Sequence, residues 1–318
     1  MNKPLVILTG PTAVGKTSLS IEVAKLIKGE IISADCMQVY KRMDIGSAKI
    51  TYDEMGGVVH HLIDIMEPTE SFDVVLFKNL AEKAIDEIIN RGHIPIICGG
   101  TGFYIQALLY DIDFTANASS EDLRAEFENF ADENGNEALW NRLKELDEEA
   151  AVQIPINNRR KVMRALEYIT LTGKSFSEHN RIQRQKDSVY NHAYFVITDD
   201  RSKLYERINK RVDIMFENGL LNEVKGLMEE QISLESQAMK GIGYQETAQF
   251  LCNNISFEEA VELIKQNSRH YAKRQLTWFR RERDVIWLDK SKLKNKDAIL
   301  SVINIELLNR GIIGERII

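Results

Sequence analysis

The chain has 318 residues, of which 44% are hydrophobic, and it carries a net charge of −7. This acidic balance excludes a uniformly basic surface, so any binding of nucleic acid must rest on local clusters of lysine and arginine. Cys36, Cys98 and Cys252 are far apart and form no C-x-x-C pair, which argues against a disulfide scaffold and a zinc site. The sequence shows neither a secretory leader nor an apolar run that would span a membrane, and it predicts a cytoplasmic protein.

Strands and helices alternate in the first third of the chain. Continuous apolar runs predict strands at residues 5–9, 31–33 and 94–98. Apolar residues at helical spacing predict helices at residues 17–27 and 77–90. This alternation, with glycine-rich turns between the elements, is typical of a parallel sheet, so the predicted fold class is α/β.

The composition changes after this first third. Residues 119–154 and 160–171 are charged and have helical periodicity, with Ser119 as a candidate helix cap. Residues 193–198 and 285–288 again have the pattern of strands. We therefore predict a P-loop NTPase-like parallel-sheet core with a helical insertion domain. The core comprises residues 1–113 and 191–318, including the C-terminal helices, and the insertion comprises residues 114–190.

A phosphate-binding loop follows the first predicted strand. Residues 10–17 match G-x-x-x-x-G-K-[ST] and lie between a strand and a helix, as this motif requires. The glycines allow close approach of the backbone to phosphate oxygens, Lys16 balances phosphate charge, and the Thr17 hydroxyl is a candidate Mg²⁺ ligand. The alternative is a purely structural glycine loop. We predict a di- or triphosphate site formed by Gly10, Pro11, Thr12, Ala13, Val14, Gly15, Lys16 and Thr17.

Asp35 follows the second predicted strand, at the sheet edge where open parallel sheets bind their ligands. This carboxylate suits a metal ligand, a general base or a helix cap, and Gln38 suits either a contact to a base or a solvated side chain. The strand at residues 94–98 ends in Gly99 and Gly100 instead of the acid that holds Mg²⁺ in many P-loop NTPases. This difference favours a transferase whose nucleophile is not water.

Further motifs follow the phosphate loop in a fixed order. They are Ser-Ala-Asp-Cys-Met-Gln-Val-Tyr at 33–40, Met-Asp-Ile-Gly-Ser-Ala-Lys at 43–49, His-His-Leu-Ile-Asp at 60–64, Gly-Gly-Thr-Gly-Phe-Tyr at 99–104, Arg-Ala-Leu-Glu at 164–167, Gly-Ile-Gly-Tyr at 241–244 and Tyr-Ala-Lys-Arg-Gln-Leu-Thr-Trp-Phe-Arg at 271–280. With these eight motifs the sequence resembles the tRNA dimethylallyltransferase family, also called tRNA isopentenyltransferases. The resemblance extends from residue 4 to about residue 288.

The resemblance implies transfer of the dimethylallyl group from dimethylallyl diphosphate to N6 of adenosine 37 in tRNA, 3′ of the anticodon, with release of diphosphate. The target base is flipped into a channel, and the diphosphate enters that channel from the other side. The implied cofactor is Mg²⁺, the implied partners are tRNA and dimethylallyl diphosphate, and we expect a monomer with no membrane partner. A motif scan would label the phosphate loop as a nucleotide-binding, ATP-binding site, whereas the resemblance implies that it holds the allylic diphosphate.

The resemblance also implies roles for individual residues. Asp35 is the expected general base for the attacking amine, and Lys16 takes up charge on the leaving diphosphate together with Mg²⁺. Thr101 corresponds to a threonine of the channel, although its glycine turn also suits a simple turn residue. Arg211 corresponds to an arginine that contacts the diphosphate. Arg207 lies one helical turn earlier, so spacing alone does not choose between the two, and a solvated helix face is the alternative.

Positive charge is concentrated in two segments. Residues 159–164 contain four basic side chains, and residues 265–283 contain seven with one acid, interleaved with aromatic rings. This mixture suits phosphate contacts and base stacking, and a solvated charged helix is the alternative. The resemblance implies tRNA contacts at Asp35, Cys36, Met37, Gln38, Thr101, Arg124, Arg160, Lys161, Val162, Met163, Arg164, Lys240, Gly241, Ile242, Gly243, Tyr244, Gln245, Lys273, Arg274, Gln275, Leu276, Thr277, Trp278, Phe279 and Arg280.

The chain departs from the family pattern at two places. Many relatives have Ser at the position of Cys36, and a thiol is a weaker hydrogen-bond donor than a hydroxyl. Residues 154–158 replace the His-Pro-Asn that commonly precedes the basic helix. His60 and His61 have no third metal ligand nearby in the sequence, and we interpret them as structural.

Three other functions fit parts of the sequence. A transferase acting on free adenine nucleotides would not need the basic aromatic segment near the C-terminus. An RNA-binding ATPase or switch protein would need the acid that is missing after Cys98. A small-molecule P-loop kinase would have to turn over ATP.

Overall fold

The chain folds into two compact units, one of residues 1–108 with 189–318 and one of residues 109–188. The computed structural model describes residues 2–114, 120–293 and 295–314, so the cap predicted at Ser119 lies outside the described residues. The helices are α1 (Lys16–Ile27), α2 (Tyr52–Met55), α3 (Val74–Asn90), α4 (Gly102–Leu109), α5 (Glu121–Leu146), α6 (Glu148–Gln153), α7 (Arg159–Thr172), α8 (Phe176–Gln185), α9 (Arg201–Glu217), α10 (Leu220–Glu229), α11 (Tyr244–Leu251), α12 (Phe257–Phe279) and α13 (Lys296–Asn309).

A six-stranded parallel sheet forms the centre of the first unit, in the order β3-β2-β4-β1-β5-β6. The central position of β1 explains its sequence, because Leu5 to Leu8 are fully buried and apolar side chains must cover both faces. The predicted α/β fold with a parallel sheet is confirmed. The strands are β1 (Lys3–Thr9), β2 (Gly29–Ala34), β3 (His60–His61), β4 (Ile94–Gly99), β5 (Tyr190–Thr198) and β6 (Val285–Asp289).

The register of the sheet brings several loops to one edge. Leu8 of β1 lies opposite Cys98 of β4 and Phe195 of β5, and Ala34 of β2 lies opposite Gly99. The carboxyl ends of these strands therefore meet at the same edge, where the phosphate loop and Asp35 follow. Tyr190, which we predicted to end the insertion, pairs with Lys3 and begins β5.

The second unit consists of helices α5 to α8 around a small apolar core. Phe127, Leu139, Leu143 and Leu166 are among its buried side chains. Helix α5 is interrupted at Gly135, whose φ of 85° is outside the helical region. In the described parts of the chain, no helix combines the length and the apolar character that crossing a bilayer requires.

A buried carboxylate near the amino end of β2 links this strand to β3 and to the segment before β4. The side chain of Glu30 is 3% exposed and pairs with Arg91, His61 and His93, each at 2.7 Å. Hydrogen bonds from Arg91 are the main reason that the pKa of Glu30 falls to about 2. Hydrogen bonds with His61 and His93 also lower this pKa, whereas burial raises it. His61 thus pairs with a carboxylate.

We expect Glu30→Gln to lower the free energy of unfolding by about 2–3 kcal/mol at pH 7. Because the folded state lowers the pKa of Glu30 from 4.5 to about 2, its contribution is complete above pH 4.5 and is lost as the pH falls towards 2. Urea unfolding at pH 7 and pH 3 measures this. Asp86→Asn, which breaks an exposed pair with Lys3, is the control and should cost under about 0.5 kcal/mol. An equal loss for Glu30→Gln at both pH values would contradict the assignment.

Candidate active site

The loop between β1 and α1 has the backbone geometry of a phosphate cradle. Gly10, Ala13 and Gly15 have φ of 150°, 60° and 95°, a region that glycine adopts more readily than other residues. A Cβ atom at Gly10 would lie 2.4 Å from the carbonyl oxygen of Ile197, so only glycine fits between β1 and β5 there. Gly15 leads directly into α1, whose first backbone N–H groups are available to an anion.

Lys16 is folded back onto this loop. Its Nζ donates hydrogen bonds to the carbonyl oxygens of Gly10 at 3.0 Å and Pro11 at 2.9 Å. Burial lowers the pKa of Lys16 to about 8, while the nearby Cys98 and Asp35 act in the opposite direction. The Lys16 ammonium group is therefore bound to two backbone carbonyls. A phosphate bound in the loop would take their place as the partner of Lys16.

A cavity of about 370 Å³ lies beside the loop, a size within the range of small-molecule sites. Its polar wall includes Thr12 from the loop, Asp35 from the end of β2 and Arg211 from α9. Its apolar wall includes Val212 and Ile264. The cavity thus combines a charged end next to the phosphate loop with an apolar surface.

Asp35 is fixed at this cavity by a tight turn of its own chain. Its Oδ1 accepts hydrogen bonds from the backbone N–H groups of Met37 at 2.9 Å and Gln38 at 3.4 Å. The Gln38 side chain donates to the carbonyl oxygen of Ala48 at 3.3 Å, which ties the turn to the following loop. Asp35 caps a turn and leaves its carboxylate at the cavity wall.

Thr101 connects two other side chains near the cavity. Its hydroxyl acts on the Cys36 thiol and the Tyr271 hydroxyl and opposes the rise in the pKa of each. Burial, assisted by Asp35, raises the pKa of Cys36 to about 12, so this cysteine remains a neutral thiol. Burial also raises the pKa of Tyr271, which the sequence analysis had placed only among the aromatic rings of the basic segment.

The structure distinguishes the two arginines that spacing left equivalent. Arg211 lines the cavity and lies 3.5 Å from the Thr12 hydroxyl oxygen and 3.4 Å from the Ser47 carbonyl oxygen. Arg207 instead forms an ion pair with Asp199 at 2.9 Å and donates to the carbonyl of Ala13. Burial lowers the pKa of Arg211, and the nearby Asp35 acts in the opposite direction. The guanidinium group of an arginine nevertheless stays charged.

Gln275 ties the phosphate loop to a second loop. Its Oε1 accepts a hydrogen bond from the Thr12 N–H, and its Nε2 donates to the Gly100 carbonyl oxygen, both at 2.9 Å. The side chain is 5% exposed, and a Cβ atom at Gly100 would lie 2.2 Å from its Nε2. The sequence analysis placed Gln275 among the tRNA contacts and missed this bridge. Ile264, Tyr271 and Gln275 share one face of α12, and this helical spacing is the signal that would have placed Tyr271 and Gln275 on the inner face of the helix.

The motif at residues 43–49 is held by a carboxylate that sequence analysis missed. Glu223 accepts hydrogen bonds from the backbone N–H groups of Asp44, Ile45 and Gly46 at 2.8 to 3.0 Å. The Tyr244 hydroxyl donates to Glu223 at 2.8 Å, and its ring leaves no room for a Cβ atom at Gly46. Two of the sequence motifs therefore meet in one structural cluster.

The predicted tRNA contacts divide into exposed and buried residues. Lys240, Gln245, Lys273, Arg274 and Arg280 are exposed in the first unit. Five further predicted residues have buried side chains, and their contacts to tRNA stay a prediction. The buried side chains are Val162, Met163, Tyr244, Gln275 and Phe279.

The basic residues of the second unit surround a buried acid. Glu167 is 1% exposed and pairs with Arg164 at 2.7 Å and Arg124 at 3.1 Å. Burial alone would raise the pKa of Glu167, but Arg164, the Ser120 N–H and Arg124 together hold it below its usual value. In the motif Arg-Ala-Leu-Glu at residues 164–167, the first and last residues thus form an ion pair across one helical turn.

A phosphate loop on a parallel sheet, with a carboxylate and an apolar cavity beside it, defines a P-loop protein with a small-molecule site. The family model described as IPP transferase matches residues 38–282, and that described as isopentenyl transferase matches residues 3–69. The chain belongs to the IPP transferase family.

Individual relatives cover nearly the whole chain. A tRNA dimethylallyltransferase of Lachnoclostridium phytofermentans is 54% identical over 94% of this chain and 96% of its own length. The crystal structure of the full-length tRNA isopentenylpyrophosphate transferase of Bacillus halodurans is 44% identical, with a TM-score of 0.74, and the match covers 98% of this chain and 97% of that one. A eukaryotic dimethylallyltransferase described as acting on tRNA is 28% identical, with a TM-score of 0.82 over 98% of this chain and 79% of its own.

We expect Gln275→Leu to weaken the binding of inorganic pyrophosphate about 10-fold. The substitution leaves the Thr12 N–H and the Gly100 carbonyl without their partner, and an unsatisfied buried group costs about 1–3 kcal/mol. Calorimetric titration with pyrophosphate measures the effect. The matched control is Gln266→Leu, an exposed glutamine on the same helix, which should bind as the unchanged protein does. Equal affinities for the two variants would show that the bridge does not support the loop.

Proposed function

We propose that the chain transfers the dimethylallyl group of dimethylallyl diphosphate to N6 of adenosine 37 in tRNA, next to the anticodon. The observation that carries this proposal is the cavity in which Asp35, Arg211 and Thr12 of the phosphate loop lie together. It provides a base for a nucleophile and a cradle for a leaving diphosphate within one space. The names of the relatives, which include tRNA dimethylallyltransferase, support the same reaction.

In the proposed step, the N6 lone pair forms a bond to C1 of the dimethylallyl group. The C1–O bond breaks, and its electron pair remains on the diphosphate oxygen. The amine then gives up one proton, which Asp35 accepts. The fixed position of this carboxylate, held by two backbone N–H groups, suits that role because the base does not have to be ordered when the tRNA arrives.

The developing charge on the diphosphate has several partners in the proposed site. The loop N–H groups, Lys16 and Arg211 stabilise it, and the charge increases as the C1–O bond breaks, so their effect is greatest in the transition state. The exposed hydroxyl of Thr17, in the first turn of α1, suits Mg²⁺, which prefers oxygen ligands and keeps phosphate and water in its shell. When bound, Mg²⁺ supplies further neutralisation of the leaving group.

The allylic chain suits the apolar wall of the cavity. Val212, Met215 and Ile264 line it, and they provide a surface that excludes water from a reactive allylic carbon. The strand β4 ends at Gly99 and carries no acid there that would hold a metal for ATP hydrolysis. These two features favour prenyl transfer over the ATPase, switch and kinase alternatives.

We propose that tRNA contacts the exposed basic face of α12, at Lys273, Arg274, Thr277 and Arg280, together with exposed side chains of the insertion, residues 114–190. In the insertion these are Arg160 and Lys161, with Arg124 and Arg164 half exposed. Cys36, Met37, Lys240, Gly241 and Ile242 line the cavity and suit contacts to the flipped base. We propose that the protein acts as a monomer in the cytoplasm.

The reaction is tested by incubating the protein with unmodified tRNA, labelled dimethylallyl diphosphate and Mg²⁺. We expect the label on N6 of the adenosine 3′ of the anticodon and the release of one diphosphate per transfer. A parallel incubation replaces tRNA by AMP, ADP or adenosine and should give no labelled product. Labelling of the free nucleotides instead of tRNA, or ATP-dependent phosphorylation without transfer, would contradict the proposal.

We expect Asp35→Ala to lower the single-turnover rate of transfer by a factor of about 10² to 10⁴, which is the usual range for a general base. Binding of tRNA should change little, because most of the proposed contact surface lies elsewhere. The rate is measured with excess enzyme, and tRNA binding is measured separately on filters. Asp53→Ala, an exposed aspartate of α2, is the control and should transfer at the normal rate. An unchanged rate for Asp35→Ala would remove this residue from the role of base.

A further inference from the structure

The turn at residues 43–49 forms part of the cavity wall, where Gly46 and Ser47 line the space. The Ser47 hydroxyl donates to the Met43 carbonyl oxygen at 2.6 Å and closes the turn from within. The carboxylate of Glu223, on α10, holds the same turn but is not among the residues that line the cavity. The proposed transfer reaction therefore gives Glu223 no contact with the reacting atoms.

Glu223 and Tyr244 together fix four consecutive backbone N–H groups of this turn. The two carboxylate oxygens of Glu223 accept from the N–H groups of residues 44–46. The Tyr244 hydroxyl donates to Oε1 of Glu223 at 2.8 Å and accepts from the Ser47 N–H at 3.2 Å. Tyr244 is fully buried, and its ring fits because residue 46 is a glycine, where a Cβ atom would lie 2.6 Å from the ring. The position of Ser47 therefore depends on both side chains.

The Ser47 carbonyl is one of two oxygens that hold Arg211 at the cavity. It accepts a hydrogen bond from Nη2 of Arg211 at 3.4 Å, and the Thr12 hydroxyl lies 3.5 Å from Nη1. Both distances are long for a charged donor, so the guanidinium keeps N–H groups for an incoming anion. Where these N–H groups point depends on where the two oxygens lie.

We propose that Glu223 positions Arg211 for the diphosphate. It acts through the Tyr244 hydroxyl and the Ser47 carbonyl, and it is a positioning residue because it does not touch the substrate. In the proposed function, on which this role rests, Arg211 stabilises the charge of the leaving diphosphate. A turn fixed by Glu223 orders the guanidinium in advance, so the diphosphate does not lose affinity by having to order it.

A double-mutant cycle of Glu223→Gln and Arg211→Gln tests this role, with inorganic pyrophosphate and Mg²⁺ titrated into the full chain in a calorimeter. We expect Arg211→Gln to weaken binding about 10- to 100-fold. Glu223→Gln should weaken it about 10-fold, because one amide oxygen replaces two carboxylate oxygens. In the chain that already carries Arg211→Gln, the Glu223 substitution should change the affinity less than about 2-fold, since the group that it positions is gone.

An equal loss in both backgrounds would show that Glu223 supports the fold in general, and would overturn the proposal. Tyr244→Phe gives a second cycle in which the ring still packs against Gly46 and only the hydroxyl is lost. It should weaken pyrophosphate binding about 3- to 10-fold, and this effect should also disappear when Arg211 is replaced. Unchanged affinity in both Glu223→Gln and Tyr244→Phe would overturn the proposal as well.

The matched control is Glu229→Gln, an exposed glutamate at the end of the same helix, which should bind pyrophosphate as the unchanged protein does. The titration contains neither tRNA nor dimethylallyl diphosphate, so its result does not depend on the transfer reaction. A lack of transfer by the unchanged protein would count against the proposed function, whereas additive losses in the cycle would count against the role of Glu223.

Discussion

The active site depends on a single buried amide that joins loops from two strands and one helix. Gln275 of α12 accepts from the backbone N–H of Thr12 and donates to the carbonyl of Gly100, so one side chain fixes the phosphate loop against the turn that precedes Thr101. The sheet brings the ends of β1 and β4 side by side, and Gln275 holds the loops that follow them together. Glycine at position 100 is required because a Cβ atom there would occupy the place of the amide.

The same helix gives the site two different surfaces. On its inner face, Ile264 and Tyr271 line the cavity, and Gln275 is buried against the loops beside it. On its outer face, Lys273 and Arg280 are exposed. Lys273 lies two residues before the loop bridge of Gln275, and Arg280 lies five residues after it. The rigid backbone of the helix therefore links the proposed diphosphate site to the proposed tRNA surface. The order of buried and exposed residues along α12 therefore follows helical periodicity.

Charge at the phosphate end of the cavity is only partly balanced within the protein. Asp35 acts on Lys16 and Arg211 in the direction that favours their charged forms, against the effect of burial. One carboxylate near two cations leaves a net positive site, which attracts a diphosphate. Arrival of the diphosphate supplies the missing negative charge, and the carboxylate is then available to the incoming amine in the proposed reaction.

Much of this arrangement could be predicted from the sequence. The buried strands and the phosphate loop have strong local patterns, and Asp35 follows a strand that the pattern identifies. Strand β3 has only two residues, His60–His61, which are too few to show a periodicity. Its pairing with β2 could therefore not be predicted.

The proposed tRNA surface shows what a motif leaves open. Whole segments were assigned to the interface, but the side chains of a helix point in all directions, so Val162, Met163 and Phe279 are buried while several of their neighbours are exposed. To choose between Arg207 and Arg211, one must know the position of Asp199, which lies between β5 and α9 and pairs with Arg207. The spacing of residues along the sequence does not reveal tertiary partners such as Asp199 and Arg207, nor does it reveal the amide bridge of Gln275.

The central claim is that the phosphate loop holds a leaving diphosphate while Asp35 faces the attacking amine. The most direct measurement is a crystal structure of the protein with a thio analogue of dimethylallyl diphosphate, Mg²⁺ and an anticodon stem-loop. The account predicts the diphosphate on residues 10–17, the adenosine N6 within about 3.2 Å of the Asp35 carboxylate, and the allylic C1 about 3–3.5 Å from N6. A diphosphate bound away from this loop, or an adenosine that reaches C1 with Asp35 remote from N6, would contradict it.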